Sequence, residues 1–318
     1  MRAARFHTWG AAPVVDEVPE PVRKEGEVLV RVEAGAVAHL DVTVASGEFA
    51  LKPNPPYVGG VEGAGTVLKA DADSGLAPGT QVVLRGGGLG IVRDGTWTER
   101  VSVKRKAVTP LDAPLEPAVA ASFFVPATTA YVALHDVGRV EKGEGVVVVG
   151  AAGAVGAMVA QQALAAGARV TGVVGRADQL ADVPEGVEAV QLGDTQSLER
   201  LAQDRSAALL VDTLGGDGLV GRSRWVRQGG RAVVIGYVAG PHVALDLPSW
   251  LLDEVALLPV NMIRAEHRAR EVAGDLVRRL SSGELTVAVE KFGLEDIPSA
   301  LDALKNGRVR GRAVVLPS

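Results

Sequence analysis

The chain has 318 residues, of which 47% are hydrophobic and 22% are charged, with a formal net charge of -5 at pH 7. This length suits two domains of ordinary size, and the acidic balance disfavours a polyanion such as a nucleic acid as a partner. The absence of cysteine excludes disulfides and thiolate metal sites. Met1–Gly10 lacks the apolar core of a signal peptide, so we expect a cytoplasmic protein.

The first third of the chain is predicted to be rich in β-strands. The predicted strands are Glu27–Glu33, Gly65–Lys69 and Gln81–Arg85. Turn signals such as Pro78-Gly79 separate these strands. Short strands with turns of this kind favour a small barrel or a partly open sheet.

From about residue 114 the pattern alternates between helices and strands. Pro117–Leu134 is predicted to be mostly helical. The alternation that follows predicts a parallel sheet covered by helices on both faces. Its predicted strands are Gly145–Val149, Arg169–Val174, Ala208–Asp212 and Arg231–Ile235, and its predicted helices are Ala154–Ala166 and Leu198–Gln203.

After residue 258 the order of elements changes again. The predicted helices are Ala265–Leu280 and Asp296–Lys305, and the predicted strands are Leu285–Val289 and Arg312–Leu316. Asp296 is expected to cap its helix. The prediction is therefore an α/β protein with a β-rich domain over residues 1–113, a dinucleotide-binding domain over 114–258 and a return to the first domain over 259–318.

The segment Val146–Gly156 indicates a dinucleotide site. Four valines predict a buried strand, and the glycines after it are spaced G-x-x-G-x-x-G, with Ala152 replacing the middle glycine of the commoner motif. Such a turn lets the backbone approach a pyrophosphate, which then lies at a helix N-terminus. The predicted contacts are Gly150, Gly153, Ala154, Val155 and Gly156. A glycine-rich helix contact without a ligand is the alternative interpretation.

The end of the second strand of this unit indicates which cofactor is bound. NAD sites usually have Asp or Glu there to bind the ribose 2′-hydroxyl, whereas this chain has Val174-Gly175-Arg176. Gly175 and Arg176 are therefore predicted cofactor contacts, and the Arg176 guanidinium can pair with a 2′-phosphate. This favours NADPH, although a solvated surface arginine is the alternative interpretation.

In its order of parts the chain resembles the medium-chain dehydrogenase/reductase superfamily, and most closely its zinc-free quinone oxidoreductase branch. The matching segments are Pro56–Val67, Pro78–Val83, Gly95–Val103, Ala127–Leu134, Val147–Gly156, Val211–Gly216, Gly229–Gly240 and Gly311–Pro317. The resemblance covers nearly the whole chain. It implies a GroES-like β-rich catalytic domain and a Rossmann-type doubly wound parallel sheet.

The resemblance also implies that no catalytic zinc is bound. Alcohol dehydrogenases of the superfamily bind zinc through a Cys, a His and a later Cys or Glu, and the matching residues here are Ala38, Val61 and Val125. These apolar side chains cannot bind zinc. Leu40 stands where those enzymes keep a hydroxyl that relays a proton, so alcohol oxidation lacks both its Lewis acid and its relay.

Further cofactor contacts are implied by matching positions alone. Thr129 matches a threonine that contacts the nicotinamide amide, and Gly236 and Tyr237 end a strand at the cofactor crevice. Asn261 lies in a loop that approaches the nicotinamide in relatives. Quinone reductases often have a lysine shortly after the second strand, whereas this chain has Ala177-Asp178-Gln179, a departure from the NADPH pattern.

Hydride transfer from NADPH to a quinone or an α,β-unsaturated carbonyl is the reaction that these features predict. Negative charge on the carbonyl oxygen needs a hydrogen-bond donor, and the candidates are Tyr57, His39, Tyr237 and ordered water. His39 can instead lie near the pyrophosphate, as its equivalent does in some relatives. Asp41 and Glu62, which lie near the metal in zinc relatives, are expected to form hydrogen bonds in the cleft wall.

Two other functions stay open at this point. One is an enoyl reductase of a biosynthetic pathway, and the other is a non-enzymatic NADPH-binding sensor or structural protein. The expected partner is a small-molecule quinone or enone, with no nucleic acid and no membrane. Relatives commonly dimerise through a strand near the end of the cofactor domain, and Val255–Val260 is the candidate strand for a homodimer, with Pro259 limiting its pairing.

Overall fold

A computed structural model describes residues 1–317, which form two compact units. Unit 1 contains residues 1–124 and 277–317, and unit 2 is Val125–Leu276. The predicted domain boundaries after residues 113 and 258 precede these divisions by 11 and 18 residues (124 − 113 and 276 − 258). Both observed divisions fall inside helices.

The helices and strands are numbered in chain order. The strands are β1 (Arg2–Phe6), β2 (Val14–Glu17), β3 (Glu27–Val37), β4 (Tyr57–Val58), β5 (Glu62–Lys69), β6 (Gln81–Arg85), β7 (Arg100–Lys104), β8 (Val108–Pro110), β9 (Gly145–Val149), β10 (Arg169–Val174), β11 (Glu188–Gln191), β12 (Ala207–Asp212), β13 (Val226–Val234), β14 (Ala256–Pro259), β15 (Val289–Gly293) and β16 (Arg312–Leu316). The α-helices are α1 (His39–Ala45), α2 (Pro117–Tyr131), α3 (Ala154–Ala165), α4 (Thr195–Asp204), α5 (Leu219–Ser223), α6 (Leu247–Asp253), α7 (Glu266–Ser281) and α8 (Ile297–Lys305). Short 3₁₀ turns lie at Ala72–Ser74, Arg105–Ala107, Ala177–Asp182 and Leu294–Asp296.

Unit 1 is built on two sheets. The larger sheet has the order β15-β16-β3-β5-β6-β8, with β7 also paired to β3, and the smaller has the order β2-β1-β4. The long strand β3 joins most of the larger sheet because it pairs with β5, β7 and β16. Its alternate residues Val28, Val30 and Val32 are buried, as expected for a strand with one face on the core. This unit matches the predicted β-rich domain.

Unit 2 is built on a single sheet of six parallel strands in the order β11-β10-β9-β12-β13-β14. The chain leaves β9 in one direction through β10 and β11, and then returns to β12 and continues the other way. This reversal between β9 and β12 is the switch point at which doubly wound sheets bind their ligands. The predicted Rossmann-type doubly wound parallel sheet is confirmed.

Helix α2 continues into a π-helical turn, Val132–Val137, and together they are strongly apolar. By length and composition, Pro117–Val137 is the one helix within residues 1–317 that is able to cross a membrane. Its most apolar stretch is 78% buried inside the structure, however, which is typical of a core helix.

The structure corrects two predictions near the end of the chain. The predicted strand Leu285–Val289 is wrong, because β15 begins only at Val289, opposite Arg312 of β16. Leu285 instead closes the end of α7, where its N–H donates to the Arg279 carbonyl and its side chain is buried. The predicted side-chain cap by Asp296 on α8 is also wrong, since its carboxylate accepts from the Gly293 N–H before the helix begins.

Candidate functional site

Most of the predicted cofactor contacts lie at one edge of the sheet in unit 2. Parallel strands have their carboxyl ends at the same edge, so the loops that follow them come together. These loops are Gly150–Val155 after β9, Gly175–Arg176 after β10, Thr213–Gly216 after β12, Gly236–Tyr237 after β13 and Asn261 after β14. Thr129 is the exception, since it is buried within α2.

The turn after β9 has no room for larger residues at two of its glycines. Gly150 has a φ of +79°, and a Cβ added to it would lie 2.3 Å from the Thr213 hydroxyl oxygen. A Cβ at Gly156 would lie 2.1 Å from the Gly150 carbonyl oxygen. Gly153 is exposed and precedes the first residue of α3, so the N–H groups of Ala154 and Val155 have no partner within the helix. This turn fits a pyrophosphate, because its backbone can be approached closely and the helix dipole favours an anion.

The loop after β12 is held by a buried ion pair. Asp212 accepts hydrogen bonds from the Leu214 and Gly215 N–H groups, each at 2.8 Å, and from Arg222 Nε at 2.6 Å. Arg222 Nη2 also donates to the Gly215 carbonyl oxygen at 2.7 Å. Arg222 was not predicted from the sequence to hold this loop. The only signal was Asp212 at a strand end before two glycines, and nothing in that pattern identifies its partner.

An apolar cavity of about 470 Å³ lies beside this loop. The loops after β12 and β13 and the end of β14 line it, with Gly216, Gly236, Tyr237 and Val260 among the lining residues. Tyr237 is 67% exposed. Asn261 lies just beyond β14, where its side-chain oxygen accepts from the Ile263 and Arg264 N–H groups and so fixes the turn.

Arg176 follows β10 as predicted, but it already has an acidic partner. Its Nε lies 3.0 Å from Asp178 Oδ1 and its Nη2 lies 3.3 Å from Asp178 Oδ2. The Gln179 side chain accepts from the Arg176 N–H at 3.2 Å and fixes the start of the 3₁₀ turn. Arg176 is therefore not a surface arginine bound only by solvent, and a phosphate would not meet an unpaired guanidinium.

Unit 1 contains a second group of predicted residues, centred on Asp41. Its carboxylate accepts from the N–H groups of Ala38 at 2.8 Å and of Gly60 and Val61 at 3.1 Å. Burial raises the pKa of Asp41 to about 7, although these N–H groups and the charge of Arg312 act in the opposite direction. Asp41 therefore positions the backbone at both Ala38 and Val61, where the resemblance places two zinc ligands.

The apolar residues at those two positions remove the usual metal donors. Ala38 and Val61 contribute a methyl and an isopropyl group, and zinc needs nitrogen, sulfur or oxygen ligands. Within residues 1–317, no group of three or more His, Asp or Glu side chains is placed to hold a metal ion. Glu62, next to Val61, is fully buried and pairs instead with Arg312, whose Nη2 lies 2.8 Å from Glu62 Oε2.

Tyr57 is buried beside this cluster. Its ring stacks on Phe6 with the ring centres 5.2 Å apart, and it also contacts Trp9. Among the residues that the structure describes, nothing accepts from or donates to its hydroxyl. Burial, with a smaller contribution from the negative charge of Asp41, raises the pKa of Tyr57, so the phenol stays protonated.

The other predicted catalytic residue, His39, begins α1 and is exposed. Surrounding protein atoms and the charge of Arg312 lower the pKa of His39, so its neutral form predominates near pH 7. The structure therefore places Asp41, Tyr57 and His39 in one region of unit 1. Their catalytic roles stay predictions.

Comparison with known proteins gives two family matches. Residues 24–113 match the alcohol dehydrogenase GroES-like domain, and residues 186–315 match the zinc-binding dehydrogenase family. Together they cover the β-rich segment and much of the remainder of the chain.

Individual relatives span nearly all of the chain. The acrylyl-CoA reductase AcuI of Ruegeria pomeroyi is 28% identical over 91% of this chain and 90% of its own length. An alcohol dehydrogenase of Geobacillus stearothermophilus is 27% identical over 99% and 98%. The quinone oxidoreductase of Thermus thermophilus, solved also in complex with NADPH, is 28% identical, with a TM-score of 0.82 over the whole of both chains.

Proposed function

The chain belongs to the medium-chain dehydrogenase/reductase superfamily as a quinone oxidoreductase-like protein, and from this membership we propose that it is an NADPH-dependent enzyme. In this proposal it transfers hydride to a quinone or an α,β-unsaturated carbonyl compound without a metal ion. The observation that carries the proposal is the glycine turn after β9, with Gly153 exposed at the start of α3.

The chain's own residues hold the nucleotide in this proposal. The N–H groups of Ala154, Val155 and Gly156 bind the pyrophosphate, and Arg176 binds the 2′-phosphate of the adenosine ribose. Gly236 and Tyr237, with the loop that Asp212 and Arg222 hold, form the apolar wall of the cavity for the nicotinamide end. Thr129 and Asn261 are the remaining proposed contacts.

Bound NADPH supplies the hydride, and the protein's task is to orient the acceptor and stabilise the charge that develops on its oxygen. We assign Tyr57 as the donor to that oxygen, because its phenol stays protonated and has no partner among residues 1–317. Asp41 holds the backbone at Ala38, Gly60 and Val61 in place. His39 is the second candidate donor, since its neutral ring retains one N–H.

Independence from metal is part of the proposal. Ala38 and Val61 leave no side-chain ligand at the positions next to the Asp41 carboxylate, and Glu62 is engaged by Arg312. A conjugated acceptor needs no Lewis acid to take a hydride at its β-carbon, because the negative charge spreads to the carbonyl oxygen. An alcohol substrate would need a metal or a relay, and Leu40 offers no relay.

A second candidate is an enoyl reductase acting on a thioester. The acrylyl-CoA reductase relative favours this candidate, since a 2-enoyl thioester is itself an α,β-unsaturated carbonyl compound. The chemistry is the same, and only the acceptor differs. A non-enzymatic NADPH-binding protein would instead bind the nucleotide and oxidise none of it.

The proposal is tested by NADPH oxidation with 1,2-naphthoquinone, a simple enone and a 2-enoyl thioester as acceptors. Turnover with at least one acceptor is expected, and the preferred acceptor separates the first candidate from the second. Tight NADPH binding with no turnover for any acceptor would favour the sensor, and no binding at all would overturn the proposal.

A cytoplasmic homodimer is the proposed form of the enzyme. Strand β14 is an edge of its sheet, and the preceding helix α6 exposes Leu251 and Leu252. Exposed leucines beside an unpaired strand edge favour association with a second copy. The molar mass in solution tests this: Leu251→Lys with Leu252→Lys should yield monomers, whereas Leu51→Lys, which also replaces an exposed leucine, should not.

A further inference from the structure

The ion pair between Arg176 and Asp178 uses the same donors that a phosphate would use. Two N–O contacts of 3.0 and 3.3 Å join one edge of the guanidinium, Nε with Nη2, to both carboxylate oxygens. Arginine binds phosphates through this same two-donor fork. A 2′-phosphate at this edge would therefore have to displace the Asp178 carboxylate.

From this geometry we propose that Asp178 is a specificity-determining residue, which competes with the 2′-phosphate for Arg176 and so narrows the preference for NADPH over NADH. The inference rests on the proposed function, because it needs the adenosine ribose to lie beside β10. It concerns the choice of nucleotide and is independent of the acceptor.

The negative charge of Asp178 also disfavours a 2′-phosphate, in the same direction as the competition for hydrogen bonds to Arg176. A phosphate monoester carries about two negative charges at neutral pH. When both groups lie against one guanidinium, the Asp178 carboxylate repels this phosphate. NADH has a neutral 2′-hydroxyl at the same place, and a carboxylate is the group that NAD sites use to accept a hydrogen bond from it.

The backbone of the 3₁₀ turn Ala177–Asp182 keeps Asp178 close to Arg176. Arg176 is the residue before the 3₁₀ turn Ala177–Asp182, and the Gln179 side chain binds its N–H. Asp178 therefore stays close to Arg176 in sequence and in space. Its side chain is 59% exposed, so it can rotate into solvent at a modest cost, and competition rather than complete blockage is expected.

The test measures binding of 2′,5′-ADP and 5′-AMP by titration calorimetry, since these fragments differ only in the 2′-phosphate. Asp178→Asn should bind 2′,5′-ADP about fivefold more tightly than the wild type, a change of about 1 kcal/mol. Binding of 5′-AMP should be unchanged or weaker. The gain should shrink at high salt, because exposed charges are screened.

Glu185→Gln is the matched control, because it removes one exposed carboxylate shortly after the same 3₁₀ turn. It should leave the ratio of the two affinities unchanged. Equal ratios in the wild type and Asp178→Asn, or an equal shift in Glu185→Gln, would overturn this inference while leaving the dinucleotide site intact. Failure of both fragments and of NADPH to bind the wild type would overturn the proposed function itself.

Discussion

Tyr57 has an unusual environment for a tyrosine, because its hydroxyl is buried without a hydrogen-bond partner among residues 1–317. Leaving such a group unpaired costs about 1–3 kcal/mol of stability. The ring itself is well packed, since it stacks on Phe6 and contacts Trp9. In the proposed mechanism the acceptor's oxygen supplies the hydrogen-bond partner that this hydroxyl lacks.

Tyr57→Phe is therefore expected to change stability and activity in opposite directions. The variant should be about 1 kcal/mol more stable in urea unfolding, since it removes the unpaired hydroxyl. Its kcat/KM for an enone should fall about 100-fold, the scale of the loss when one donor to a developing oxyanion is removed. Tyr131→Phe is the control, because Arg268 Nη2 donates to the Tyr131 hydroxyl and no gain in stability is expected. A less stable Tyr57→Phe protein with full activity would contradict the assignment.

The raised pKa of Asp41 predicts that the free energy of unfolding depends on pH. Burial raises its pKa from the unfolded value of 3.8 to about 7, so the folded state holds the proton more tightly. The stability that Asp41 contributes is fully present below about pH 4 and is lost as the pH rises through 7. One pKa unit corresponds to about 1.4 kcal/mol, so the loss amounts to a few kcal/mol.

The comparison of wild type with Asp41→Asn isolates this effect. The difference in unfolding free energy between the two proteins should fall steadily from pH 4 to pH 7 and then level off. Asp73→Asn, which replaces an exposed carboxylate, provides the control. A difference that stays constant, or that rises with pH, would show that Asp41 is ionised throughout the range.

At the scale of single elements, the turn between β9 and α3 depends on the absence of side chains. Gly156→Ala would place a Cβ 2.1 Å from the Gly150 carbonyl oxygen, so the backbone of the turn must move. We expect a loss of about 1–3 kcal/mol in stability, and NADPH binding weakened by at least about tenfold because the N–H groups are displaced.

The control for this substitution is Gly221→Ala in α5. A Cβ at Gly221 meets no atom within 4 Å, so the change should be neutral or slightly stabilising. The dissociation constant for NADPH is measured for both folded variants, by quenching of protein fluorescence or by titration calorimetry. Unchanged NADPH affinity in Gly156→Ala would show that the nucleotide does not contact this turn.

The loop after β12 depends on the Asp212–Arg222 pair. Arg222→Met leaves a fully buried carboxylate without its partner, which typically costs about 3–5 kcal/mol. Released from Arg222, the Leu214–Gly215 segment should also bind the nicotinamide end less well. Arg308→Met breaks an exposed pair with Asp302 and should cost less than about 1 kcal/mol. Similar thermal unfolding of the two variants would argue against a holding role for Arg222.

Elements with simple patterns were predicted well from sequence. The bounds of β6, β9, β10 and β16 agree with the prediction, because each is a short apolar run between turn residues. Strand β15 was misplaced, because Leu285 and Val287 look like strand residues when their neighbours are unknown. Pairing with Arg312 of β16 determines where that strand begins, and such long-range pairing leaves no local signal.

At the scale of the whole molecule, the fold was predictable from the sequence, whereas the partners of the charged residues were not; the dinucleotide site stays a prediction. Glu62 and Arg312 form one buried pair although they lie 250 positions apart in the chain. Arg176 was predicted as a phosphate contact, but its pairing with Asp178 depends on the 3₁₀ turn that follows β10. Ion pairs of this kind depend on how distant or irregular segments pack, which neither composition nor periodicity encodes.

The central claim is direct hydride transfer to a conjugated acceptor without metal. The most direct test uses NADPH deuterated at the transferable position of the nicotinamide, an enone acceptor and protein treated with a chelator. We predict that the reduced product carries deuterium at its β-carbon and that chelation leaves the rate unchanged. A product without deuterium, or activity that appears only when zinc is restored, would contradict the account.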